Sequence, residues 1–384
     1  MNDILTPPPS PLPNTPDVRR AGAFLTIDLD ALKTNWLTCD RQSADDVETA
    51  AVVKAAAYGL GAERAALALQ SAGCKTFFVA TIDEGIHLRE VLGSGPAIHI
   101  FNGLMDGAER DFTHHQLTPV LNSLAEIDAW RAYCTGAGEA QPCDIHVDTG
   151  MSRLGLPDDE LQKVIDDPDH LTHLKLDMIL SHLSVSEITD HPKNAEQLAK
   201  FRQILVHMPP TRAAFANSSA IFLSPEYHFD VTRPGVALYG VNPTPGQPNP
   251  MAQVLRLQAK ILQVRTIDTP QTVGYGATHT AQGCERIATV SLGYADGYRR
   301  NLSNSGVAYI GEYPAPVAGR VSMDLLTLDV SNVPEALCRP GTLVDLIGPH
   351  NPVDDVAERA GTIGYELLTG LGTRFHRVYL DSET

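Results

Sequence analysis

Short apolar, β-branched runs recur along the first two thirds of the chain, separated by stretches with helical spacing. They fall at 51–54, 76–80, 97–101, 117–121, 144–148, 176–181, 213–217 and 229–233. Near-continuous apolar strands alternating with helices predict a parallel sheet buried on both faces, and eight such units close naturally as a TIM (β/α)8 barrel. Ahead of them, residues 23–28 read as a strand and a helix opens near Asp30. Beyond a Pro- and Gly-rich linker at 241–250, alternating stretches such as 255–261 and 287–292 lie between Gly- and Pro-rich turns. These predict a mostly-β domain with helices near 353–360 and 364–371. The predicted organisation is therefore a Pro-rich disordered tail over 1–21, the barrel over 22–250 and the β domain over 251–384. The strand within 22–30 is expected to join the β domain.

Composition narrows the function classes. With 384 residues, 43% of them apolar and 20% charged, the chain fits a soluble two-domain protein. A formal net charge of −17 without clustered Lys and Arg argues against a nucleic-acid partner. Cys39, Cys74, Cys134, Cys143, Cys284 and Cys338 are scattered, with no CxxC and no Cys/His cluster, so neither a metal site nor a disulfide framework is expected. No apolar run reaches about 18 residues and no signal-like N-terminus appears, so the expected location is the cytoplasm, away from membranes.

Barrel enzymes carry their chemistry at the C-terminal ends of the strands. The polar residues falling there are Lys54, Asp148 with Arg153, His182, Asn217 with Ser218, and Arg233. A lysine at the end of a core strand is costly to desolvate unless it is paired, neutralised or bonded to a carbonyl, although it can also snorkel to solvent.

The segment around it, Val52-Val53-Lys54-Ala55-Ala56-Ala57-Tyr58-Gly59-Leu60-Gly61, resembles the pyridoxal 5′-phosphate lysine motif of the alanine racemases. Further motifs of that family recur in order. They are His146-Val147-Asp148-Thr149-Gly150-Met151-Ser152-Arg153-Leu154-Gly155, Ser181-His182, Asn217-Ser218-Ser219, Arg233-Pro234-Gly235-Val236, Val273-Gly274-Tyr275-Gly276, Gly293-Tyr294-Ala295-Asp296-Gly297, Val321-Ser322-Met323-Asp324 and Gly364-Tyr365. The resemblance covers nearly the whole chain after about residue 22.

It implies an isomerase that interconverts L- and D-alanine and so supplies D-alanine for peptidoglycan, working as a homodimer with shared active sites. Lys54 would form an imine with the cofactor aldehyde and act as one base, and Tyr275 from the other subunit would be the second. Tyr58, Ser218, Gly235, Val236 and Tyr365 would hold the phosphate, and His182 would lie beside the cofactor ring. Arg153 would contact the phenolic oxygen and, with Met323, the substrate carboxylate. Arg233 would face the pyridine nitrogen, where a side chain that keeps its proton leaves the ring a weaker electron sink and disfavours transamination. Three positions depart from the family. Ala56 stands for asparagine, Leu60 for histidine, and His146 for a lysine that is carbamylated in many members and braces the arginine. Imidazole forms no stable carbamate, so something else must orient Arg153. These departures leave room for serine or a wider amino-acid range. A decarboxylase of the same plan would need no base like Tyr275, and a cofactor-binding barrel alone would need no β domain with motifs of its own.

Overall fold

The computed structural model describes residues 16–382. The chain forms two compact units: Asp30–Ala252, and a second made of the segment through Leu29 with Gln253 onward. Most of the expected Pro-rich tail, residues 1–15, lies outside the described residues. At Pro16 the backbone carbonyl accepts a hydrogen bond from His376 Nδ1 at 2.8 Å, and Asp17 Oδ1 takes the Arg19 N–H at 2.8 Å, so described backbone starts ahead of residue 22.

In the first unit the apolar runs become parallel strands at Glu48–Thr49, Ala51–Val52, Thr76–Val79, Ala97–Ile100, Thr118–Leu121, Pro142–His146, Lys175–Leu180, Arg212–Asn217 and Val231–Arg233. The sheet begins on Glu48–Thr49 and ends on Ala51–Val52, two halves of one strand that changes partner at Ala50. Glu48–Thr49 pairs with Val231–Arg233, and Ala51–Val52 with Thr76–Val79. The ring therefore closes with eight strand positions, as the sequence pattern predicts. Helices such as Ala62–Ser71, Ile82–Leu92 and Leu124–Ala137 alternate with the strands. The core holds Phe77, Phe78, Trp130, Phe201 and Phe215 without solvent exposure, each worth about 1.5–3 kcal/mol of burial.

Inside the barrel the alternation of strand side chains turns Asp144 inward. It meets His99 at 2.5 Å, and both are fully buried. Burial opposes charging His99, but Asp144 and Asp177 outweigh it and raise its pKa. Arg212 bridges Asp177 and Glu48 at 2.7 and 2.8 Å. With a cation already seated on Asp177, the cluster His99, Asp144, Asp177 forms a structural ion network.

The second unit is mostly β. Its long strand Leu255–Ile267 pairs antiparallel with Ala23–Asp28, Glu285–Val290 and Leu343–Ile347. Ala23–Asp28 also pairs parallel with His376–Leu380. Helices Val353–Arg359 and Gly364–Thr369 complete it.

Candidate active site

The strand carrying the lysine is shorter than expected: it stops at Val52, and Lys54 opens a turn over Lys54–Tyr58. The sequence, rich in alanine, reads as the start of a right-handed helix. Instead Ala55, Ala56, Ala57 and Tyr58 all have φ of 53°, so the turn is left-handed. For L-residues that conformation costs roughly 1–2 kcal/mol each. Its hydrogen bonds offset part of this cost: Gly59 N–H donates to the Ala55 carbonyl and Gly61 N–H to that of Ala56, both at 2.8 Å. Glu84, in a capping box with Thr81, accepts the Ala55 N–H at 2.6 Å and the Ala80 N–H at 2.8 Å. Lys54 is half-buried, with Nζ 5.8 Å from the Phe101 ring centroid. Burial and the nearby Arg153 charge lower its pKa against the pull of Glu84, which increases the fraction of free amine.

Ala56 is exposed at φ 53°, ψ 48°, a conformation in which asparagine is several-fold enriched. Ala56→Asn is expected to stabilise the protein by about 0.5–1 kcal/mol and to raise Tm by about 1–4 °C. A thermal melt showing an unchanged or lower Tm would remove strain as the distinguishing feature of this turn.

On the last two strands the backbone builds a cradle. Ser218 Oγ accepts the N–H groups of Gly235 at 2.8 Å and Ala237 at 3.3 Å, while Val236 N–H has no protein acceptor among the described residues. A Cβ at Gly235 would lie 2.5 Å from Tyr58 Oη, so the missing side chain is what admits the hydroxyl. Tyr58 is held by stacking on Tyr239 at 4.7 Å between ring centroids, and Tyr239 Oη donates to the Val52 carbonyl at 3.0 Å. Hydroxyls and backbone N–H groups gathered in this way suit a phosphate.

Arg233 is buried and donates to the Ala214 carbonyl at 2.8 Å and the Ser181 carbonyl at 2.6 Å. Burial pulls its pKa down to about 10, which still leaves it cationic at neutral pH. Burial together with the charges of Arg233 and Arg153 holds His182 well below the ordinary histidine value. His146 is likewise pushed down to about 4 by burial and Arg233, with Arg153 adding and Asp148 opposing. Both imidazoles are therefore neutral near pH 7. Arg153 is exposed and has no hydrogen-bond or ion-pair partner among the described residues. Lys54, Arg153 and Arg233 thus all act on His182, and the two arginines also on His146, while the neighbouring carboxylates Asp148 and Glu84 are engaged by backbone N–H groups. Such a cationic strand-end cluster suits a ligand carrying phosphate, phenolate and carboxylate charges.

The remaining predicted residues belong to the second unit. Tyr275 is 74% exposed on the turn Tyr275–Ala277, where a Cβ at Gly276 would lie 3.1 Å from Arg320 Nη1. It lines a cleft of about 680 Å³ with Arg265, Thr272, Arg320 and Ser322. Met323 is exposed, and its carbonyl accepts the Ala295 N–H at 3.0 Å. A Cβ at Gly293 would lie 2.4 Å from that carbonyl, so only glycine lets the two turns meet. Arg374 pins the neighbouring Asp296 through two bonds of 2.7 and 2.8 Å. Tyr365 is partly exposed on Gly364–Thr369.

Three residues of the barrel site were not singled out from sequence. Glu84 carries a signal, the Thr-x-x-Glu capping box. Asn122 directly follows a strand end and bonds His146 Nδ1 at 2.8 Å, a place the strand-end rule covers. Tyr239 had no signal beyond being aromatic.

Residues 27–243 match the sequence profile described as "Alanine racemase, N-terminal domain", and residues 254–379 that described as "Alanine racemase, C-terminal domain". An alanine racemase of Rhodospirillum rubrum is 50% identical over 360 residues, covering 94% of this chain and 96% of that one. A catabolic alanine racemase of Mesorhizobium japonicum is 46% identical, covering 94% of each. The crystal structure of alanine racemase from Bartonella henselae with covalently bound pyridoxal phosphate superposes with a TM-score of 0.91 at 41% identity, covering 94% of this chain and all of that one.

Proposed function

The chain belongs to the alanine racemase family, and from that premise we propose that it interconverts L- and D-alanine using Lys54 and Tyr275 as its two bases. The observation that supports this reading is the placement at the strand ends of Lys54 and of Arg233, whose guanidinium donates to the Ser181 and Ala214 carbonyls, together with the Ser218, Gly235 and Val236 cradle. Pyridoxal phosphate, when bound, supplies an aldehyde for Lys54 and an electron-withdrawing ring that acidifies the substrate α-proton. The cradle with Tyr58 would hold its phosphate, and His182, Arg233 and Arg153 its ring substituents; Tyr365 is assigned to the phosphate by resemblance to the family alone.

Each side chain then has a distinct task. Lys54, with its lowered pKa, takes or returns the α-proton on one face. Tyr275 of the partner subunit serves the other face, which makes the active enzyme a homodimer. Arg153 binds the substrate carboxylate, the group to which family resemblance also assigns Met323. Arg233 retains its proton because neutral pH lies well below its pKa, so it donates hydrogen bonds without protonating its ligand. Neutral His182 can accept one hydrogen bond and donate another. No helix among the described residues is long and apolar enough to cross a membrane, in keeping with action in the cytoplasm on a free amino acid. The relatives reported above all carry the alanine racemase name, so the serine and decarboxylase readings are not retained.

Incubation of the purified holoenzyme with L-alanine should abolish optical rotation without loss of carbon dioxide. Release of carbon dioxide in place of D-alanine, or racemisation of L-serine in preference to L-alanine, would overturn the reading.

A further inference from the structure

We propose that Asn122 and His146 form a neutral brace for Arg153: Asn122 fixes the His146 tautomer, and the bare Nε2 accepts from the arginine guanidinium. The proposal rests on the reading of Arg153 as the substrate-carboxylate arginine, and gives a role to the residue that stands where a carbamylated lysine is usual.

The argument starts at Asn122, which is buried at the end of the strand Thr118–Leu121. Its Nδ2 donates to the Val120 carbonyl at 2.7 Å and the Phe101 carbonyl at 3.1 Å, so both amide hydrogens are engaged. Rotating the amide would set Oδ1 against two carbonyl oxygens, which fixes Oδ1 toward His146. That oxygen can only accept, so the 2.8 Å contact requires a proton on His146 Nδ1. A neutral ring carries one N–H, and His146 is held neutral by burial and the arginines around it. Nε2 is therefore a lone-pair acceptor.

The opposite side of the ring faces the turn that carries Arg153. A Cβ at Gly155 would lie 3.0 Å from His146 Cδ2, the atom bonded to Nε2, so the chain just past Arg153 packs on that edge. Leu156 N–H donates to the His146 carbonyl at 2.8 Å, and Asp148 N–H to the Leu156 carbonyl at 3.1 Å, which folds the turn back over the strand end. Asp148 cannot serve as the brace, because its carboxylate already accepts the N–H groups of Gly150, Met151 and Ser152. Arg153 makes no hydrogen bond or ion pair among the described residues, to His146 or to any other group, which leaves its guanidinium uncommitted. Unlike a carbamate, a neutral acceptor positions the guanidinium without cancelling its charge, leaving the full cation for the substrate carboxylate.

Solid-state 15N NMR of the histidine-labelled holoenzyme, with His146 assigned from the spectrum of His146→Asn, tests the tautomer directly. The expected signal is a protonated Nδ1 and a bare Nε2 between about pH 6 and pH 9. An imidazolium, a protonated Nε2, or strong stimulation of activity by bicarbonate would overturn the proposal. In Asn122→Ala the tautomer should become mixed, with KM for L-alanine raised about tenfold and kcat changed less than about threefold, the loss of one charge-assisted hydrogen bond. An unchanged tautomer with unchanged KM would also overturn it. Should that variant not fold, the wild-type spectrum decides alone. An enzyme inactive on alanine but showing the Nδ1–H tautomer would count against the functional reading and leave the brace standing.

Discussion

Lys54→Ala removes racemisation by at least about 10⁴-fold and leaves no borohydride-reducible bond between the protein and pyridoxal phosphate. The expectation follows from the surroundings of this lysine. Burial and Arg153 lower its pKa, Glu84 is bonded to three backbone N–H groups, and the Phe101 ring lies at 5.8 Å, so the free amine is more accessible here than on an exposed lysine. Among the described residues Lys193 also comes near the strand-end turn: its Nζ would lie 2.9 Å from a Cβ at Gly150. It is already engaged with Glu196 at 2.8 Å on the helix Pro192–His207, which ties its amine to a carboxylate. Peptide mapping after reduction of the wild-type holoenzyme should therefore find the pyridoxyl group on Lys54. Its appearance on Lys193, or retention of activity in the variant, would displace Lys54 from the mechanism.

The barrel was legible because its strands are buried on both faces and so read as unbroken apolar runs, which composition alone separates from the helices between them. The partner switch at Ala50 was not, since nothing in Glu48-Thr49-Ala50-Ala51-Val52 marks where pairing changes sides. The left-handed turn at Ala55–Tyr58 was hidden for a different reason. Alanine favours the right-handed helix, and here the tertiary hydrogen bonds of Glu84 and the turn's own closure override propensity. Lys54, His182 and Arg233 were legible as polar residues ending apolar strands. Asn122 sits in the same kind of place, yet an uncharged amide drew no notice; its importance comes from having both hydrogens engaged, a property of the fold. Tyr275, Met323 and Tyr365 came from resemblance alone, because glycine-flanked tyrosines and exposed turn residues look like ordinary surface.

Tyr275→Phe is expected to cut racemisation by about 10³-fold or more while leaving substrate binding nearly intact, because it deletes one hydroxyl and no packing. Inverting a stereocentre by two bases needs a proton acceptor on each face, and Lys54 can occupy only one. The loss should therefore be asymmetric. Exchange of the α-proton from L-alanine, the enantiomer that the tyrosine serves by resemblance to the family, should fall most, and exchange from D-alanine should continue through Lys54. The geometry of the turn favours an external role. Tyr275 stands 74% exposed, with Gly274 and Gly276 at φ 72° giving it a backbone that no larger residue adopts easily, and Arg320 packed beneath. A side chain so presented is open to solvent, as the proposed role in a partner's site requires. If the homodimer shares its sites, inactive Lys54→Ala and Tyr275→Phe subunits complement each other. In a mixed dimer one site collects both defects and the other neither, so a random mixture should recover about one quarter of wild-type activity. Absence of recovery after subunit exchange has been verified by mass, or full activity in a monomer, would place Tyr275 in the same subunit as the lysine it serves or outside the reaction altogether.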